Sequence, residues 1–100
     1  MNIDCNKSIV SLSEIAALPN NWNLNEAPAF SEQIILLCKN IVRSLTRQPD
    51  IFPTANESIQ MEWENVHGDY LEIEIFENGI LKAAMRKMMV TGSKTNLTFQ

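Results

Sequence analysis

Residues 59–76 read IQMEWENVHGDYLEIEIF, and the alternation in this stretch decides the fold. Ile59, Met61 and Trp63 alternate with Gln60, Glu62 and Glu64. Leu71, Ile73 and Ile75 alternate with Glu72 and Glu74. A period of two on both sides of NVHGD predicts a β-hairpin with one buried face. Pairing Glu64 with Tyr70 sets Glu62 opposite Glu72, Gln60 opposite Glu74, Trp63 opposite Leu71 and Met61 opposite Ile73. Ile59, Met61, Trp63, Leu71, Ile73 and Ile75 then share one side.

Downstream, ILKAAMRKMM at residues 80–89 is rich in helix formers, and Leu81, Ala84, Met85 and Met88 also suit a helix. Register favours a strand. A two-residue turn would set Lys82 opposite Ile75 and mix charge into the apolar face. A three-residue loop, Glu77-Asn78-Gly79, pairs Phe76 with Ile80. It brings Lys82 to Glu74, Leu81 to Ile75, Ala83 to Ile73, Met85 to Leu71 and Arg86 beside Tyr70. Such loops want positive φ at the last position, which here is glycine. Turn chemistry, charge and face select one register. TGSK then reads as a turn and TNLTF as a short further strand.

Upstream, SEQIILLCKNIVRSLTRQ at residues 31–48 predicts a helix: Ile34, Leu37, Cys38, Ile41, Val42 and Leu45 recur at three- and four-residue steps. Ser31 is the expected N-cap, Glu32 suits the dipole of the first turn, and Pro49 is the expected stop. SLSEIAAL at residues 11–18 predicts a short helix opened by a Ser11/Glu14 capping box and ended by Pro19. Residues 1–10 read as a loose segment. PNNWNLNEAPAF is a connector anchored by Trp22, and PDIFPTANES a proline-punctuated crossing whose Ile51 and Phe52 plug the core. The expected fold is α+β with two layers: two N-terminal helices packed on an antiparallel β-meander of three to four strands. The chain reads as a single domain over 1–100, with a loose segment at 1–10, a helical part at 11–47 and the meander at 57–99.

With 45% hydrophobic and 20% charged residues, the composition is that of a folded globular chain. The net charge of −4 speaks against nonspecific nucleic-acid or anionic-membrane binding and permits a basic protein partner. Cys5 and Cys38 are too distant for a disulfide framework and read as free thiols of a reducing compartment. The N-terminus lacks the apolar segment of a signal peptide, and the run at residues 34–38 is far short of a membrane span, so the expected location is cytoplasmic.

Four alternating glutamates on an outer strand face are most simply solvated. Tyr70 and Phe76 share that face, and aromatic residues beside charge suit recognition of a protein partner. A metal or catalytic pair is the least favoured reading, because a flat sheet splays its carboxylates where a metal site wants them convergent. Glu72, Glu74 and Lys82 have the composition of a nuclease core, but their spacing is ordinary strand alternation. His67, the single histidine, falls in a turn. Cys38 faces the core, so a Cys38–His67 nucleophile pair is disfavoured, and no nucleotide-binding or hydrolase motif occurs. Met85 reads as core, while Met88 and Met89 point to opposite faces of the strand. No catalytic residue, metal or cofactor is expected.

Two stretches carry a resemblance: LSEIAALPNNWNLNEAPAFSEQII, and IFPTANESIQMEWEN continuing to DYLEIEIFENG. Over about residues 12–80 the chain resembles a group of small bacterial proteins of uncharacterised function. They share an Asn-Trp loop, an Ile-Gln-x-Glu-Trp-Glu strand and a Leu-Glu-Ile-Glu-Ile strand. That group tends to carry an Asp-Gly pair and a second glycine after the Asn-Trp pair, and a glycine before the Ile-Gln pair. Here those places hold Asn23-Leu24-Asn25 and Glu57-Ser58. The resemblance implies association with mobile-element, toxin–antitoxin or defence loci, and no catalytic residue to carry over.

The expected function is therefore a non-catalytic protein-interaction module, of antitoxin, immunity or defence-inhibitor type. Glu62, Glu64, Tyr70, Glu72 and Glu74 are the expected partner-binding residues, and the partner is a basic protein. The alternatives are a small metal-dependent enzyme using the glutamate row and a purely structural homo-oligomer; a homodimer stays open beside the main reading.

Overall fold

The structure, a computed structural model, describes residues 5–88 and 94–99. Helices α1 (Asn6–Ala16) and α2 (Glu32–Ser44) precede strands β1 (Asp50–Pro53), β2 (Ser58–Glu64), β3 (Tyr70–Phe76), β4 (Leu81–Met88) and β5 (Lys94–Phe99). The strands form one antiparallel sheet in the order β1-β2-β3-β4-β5. The fold is α+β.

The central hairpin has the register set by its alternation: Glu64 pairs with Tyr70, Glu62 with Glu72, Gln60 with Glu74, Trp63 with Leu71 and Met61 with Ile73. Asn65 builds its turn, accepting on its side-chain oxygen from the amides of His67 (2.9 Å) and Asp69 (3.0 Å). Residues 81–88 are strand, with Lys82 opposite Glu74 and Met85 opposite Leu71. The Phe76 amide donates to Ile80 O at 2.9 Å, and Gly79 sits at φ 86°. Helix propensity lost to sheet pairing in this segment because every apolar, charged and turn residue agrees on one ladder.

Leu12 and Ile15 of α1, Ile34, Ile35, Cys38 and Val42 of α2, Ile59 and Met61 of β2 and Ile75 of β3 form one buried cluster. Removing a large member such as Ile34 costs about 2–5 kcal/mol, the transfer free energy plus the cavity left behind. Among the described residues α1 approaches β1, α2 approaches β2 and β3, and neither helix reaches β4 or β5.

Four expectations need correction. The N-terminal segment is not loose through residue 10: α1 starts at Asn6, with Cys5 at the N-cap making no side-chain cap bond. Ile9 belongs to the same apolar stripe as Leu12 and Ile15, and Ser8 is buried beside it, so burial sets the start and Ser11 stands within the helix. Residues 50–53 are not only a crossing: they form edge strand β1, with Asp50 opposite Glu62 and Phe52 opposite Gln60. Ile51 plugs the core as expected, but Phe52 lies on the other side of the ladder and is 46% exposed. Finally, α2 stops at Ser44, before Pro49. Leu45 turns extended, and the Gln48 amide donates to the carbonyls of Val42 (2.9 Å) and Leu45 (3.1 Å). A side chain beyond the helix thus donates to Leu45 O and adds a second donor at Val42 O, which also accepts from the Leu45 amide. Ser31 does cap α2, accepting from the Ile34 amide.

Candidate functional site

On the outer face of the sheet, cross-strand pairing lines up Asp50, Glu62 and Glu72 on β1, β2 and β3. Glu64 and Tyr70 pair on one side of this row, Gln60 and Glu74 on the other. Neighbouring strands lie about 4.8 Å apart and alternate residues about 6.7 Å apart. Five carboxylates therefore occupy one small patch, and all five expected site residues lie in it. Asp50 was missed because β1 was read as a loop; its signal is that Asp50 and Phe52 alternate with Ile51, as in β2 and β3.

Three of the carboxylates, Glu62, Glu72 and Glu74, are held by neutral donors. Tyr70 Oη donates to Glu72 Oε1 at 2.7 Å, Ser58 Oγ to Glu74 Oε2 at 2.5 Å, and Gln60 Nε2 to Glu62 Oε2. Ser58 is fully buried and shares a short hydrogen bond with Thr54, so Glu74 is tied to the fixed end of the β1–β2 turn. The two cations of β4 on this face turn to the rings. Lys82 Nζ lies 5.3 Å from the Phe76 centroid, and the Arg86 guanidinium carbon 5.1 Å from that of Tyr70. Burial first, then the hydrogen bonds and charges of Glu72 and Glu62, push the Tyr70 phenol above its ordinary range, so the proton stays on the tyrosine.

Among the described residues, no three of His, Cys, Asp and Glu converge as metal ligands. His67 is exposed in the β2–β3 turn, while Cys38 is fully buried on α2, where desolvation pushes its thiol up to about 12. Cys5 and Cys38 are both free thiols. None of the helices among the described residues is long and apolar enough to cross a membrane. The expectation for Met88 and Met89 lies outside the described side chains.

The opposite face carries a feature that sequence reasoning did not find. Where α2 ends, an open groove of about 450 Å³ remains over the sheet, floored by Trp63, Leu71, Ile73 and Met85 and rimmed by Arg47, Lys87 and Asp69. Met85, expected in the core, is half-buried here because no helix covers β4. The groove wall is stitched in both directions: Trp63 Nε1 donates to Arg47 O at 2.9 Å, and the Arg47 guanidinium donates to Glu64 O. Only the true end of α2 reveals the groove, and the apolar stripe running on to Leu45 hid that end.

A second built feature is the loop before α2. Side-chain oxygens of Asn20, Asn21 and Asn23 accept from the amides of Ala29, Glu26 and Ala27 at 2.8–3.0 Å. Trp22 Nε1 donates to Pro28 O at 3.1 Å, and its ring packs 6.1 Å from that of Phe30. Comparison with protein-family models, with curated proteins and with solved structures finds no match to this chain.

Proposed function

We propose that the chain is a non-catalytic protein-interaction module that binds a basic partner through the outer sheet face. One observation carries the reading: among the described residues Glu62, Glu64, Glu72 and Glu74 form no salt bridge, while Lys82 and Arg86 lie over aromatic rings. The patch keeps a net negative charge, five carboxylates against Lys82 and Arg86, and neutral donors fix Glu62, Glu72 and Glu74. A partner's Lys and Arg side chains would meet carboxylates already oriented, so little ordering entropy is lost on binding.

Opposed charge of this kind steers encounter and selects the partner. The partner class is a protein whose working surface is itself basic, such as the nucleic-acid groove of a nuclease. The carboxylate array would stand where phosphates bind and block that surface. An antitoxin, immunity or defence-inhibitor role in a reducing cytoplasm follows from such blocking, and the resemblance to small proteins of defence-type loci points the same way. Glu62, Glu64, Tyr70, Glu72 and Glu74 are the contact residues of this reading, joined by Asp50.

The test is the salt dependence of binding to a basic protein captured from the source cells. Affinity should fall steeply between low and high salt, and Glu62→Gln and Glu72→Gln should each flatten that dependence. An affinity that ignores salt would refute the charge-complementary mechanism.

A further inference from the structure

The loop before α2 and the groove behind it are complementary in chemistry. Leu24 is 88% exposed at the loop tip and holds φ 59°, and the exposed Glu26 holds φ 67°. Both conformations crowd a side chain that carries a Cβ. The asparagine hydrogen bonds over-determine the loop and keep both residues there. An apolar side chain is thus presented to water on a rigid mount with a carboxylate two residues on. The groove offers the converse, an apolar floor of Trp63, Leu71, Ile73 and Met85 with Arg47 and Lys87 exposed at its rim. Asp69 stands at the same rim, where the Asn65 side-chain amide donates to it at 3.0 Å, and two cations outnumber it.

We propose that the groove is the docking site for residues 24–26 of a second copy of this chain, with Leu24 on the apolar floor and Glu26 against Lys87 and Arg47. The placement allows a closed dimer. The loop precedes the N-terminal end of α2 and the groove lies just past its C-terminal end. The 13-residue helix between them spans about 20 Å. A two-fold axis that sets the two α2 helices antiparallel brings each loop to the other copy's groove, which makes the contact isologous and self-limiting. The groove shares Tyr70 with the acidic face but none of its carboxylates, so either proposal can fail alone.

Sedimentation velocity of the full chain across micromolar to millimolar concentration tests it. The expected result is a reversible monomer–dimer equilibrium. Leu24→Gly should weaken it by about tenfold or more, as loss of an anchoring side chain does. The same substitution should raise the melting temperature of the monomer, because it relieves the backbone. That opposite movement separates an interface role from a folding role. Leu24→Asn, which tolerates positive φ but removes the apolar group, should weaken the dimer likewise. Glu26→Lys and Lys87→Glu should each weaken the dimer severalfold, and combining them should restore it. A chain that sediments as a monomer throughout, a dimer unchanged by both Leu24 variants, or a charge-swapped pair no tighter than either single variant would overturn the proposal.

Discussion

Leu24, Glu26 and Glu57 hold φ of 59°, 67° and 58°, where a Cβ crowds the following carbonyl at a cost of about 1–2 kcal/mol. Glycine avoids that cost but gives back part of the gain through the entropy of the unfolded chain. Glu57→Gly and Glu26→Gly should therefore each stabilise by about 0.5–1 kcal/mol in urea unfolding. Gly79 is the converse case. At φ 86° an added Cβ meets nothing within 4 Å, so Gly79→Ala should destabilise through the backbone alone, by about 1 kcal/mol. The Gly79 requirement was legible because a loop length and a register both demanded it. Positive φ at Leu24, Glu26 and Glu57 was not legible from those residue types, which ordinarily avoid it.

Two buried or partnered groups set the alkaline limit. Both Cys38 and Tyr70 have pKa values raised in the folded chain, so both contribute stability at neutral pH that disappears as pH rises. Loss should begin above about 9 as the unfolded thiol ionises while the folded one holds its proton to about 12. Tyr70 adds a second loss above about 10. Unfolding free energy measured from pH 8 to 11 should fall throughout the upper part of that range, and Tyr70→Phe should remove the component above about 10.

At the scale of elements, the three strands β2, β3 and β4 were legible to the register because period-two patterning, charge pairing and turn residues coincide. The ends of α1 and α2 and the existence of β1 were not, because each depends on what the segment packs against. Asn6 opens α1 without a capping side chain, since burial of Leu12 and Ile15 supplies the stabilisation. Leu12→Ala should accordingly cost about 2–5 kcal/mol, a loss that a frayed terminal helix would not show. In the sheet, Glu62 and Glu72 stand directly opposite each other with Asp50 beside them. Like charges so placed destabilise by a few tenths of a kcal/mol or more, so Glu72→Gln should raise stability at low salt and lose that gain at high salt.

At the scale of the whole molecule, the sheet offers two surfaces of opposite character. The outer one is acidic, with Glu62, Glu72 and Glu74 fixed by neutral hydrogen bonds. The inner one is covered by helices over β1–β3 and open past the end of α2. Alternation alone disclosed the first, since outward strand positions can be read from sequence. The second depends on where a helix stops over a sheet, a tertiary fact no local pattern encodes. The most direct test of the central claim is a parallel affinity capture from the source cells, with the wild-type chain beside a variant carrying Glu→Gln at 62, 64, 72 and 74. Glutamine keeps size and one acceptor oxygen while removing charge. A basic protein retained by the wild type and lost by the variant is the predicted result. The same partner recovered equally by both would contradict the acidic face as the binding surface.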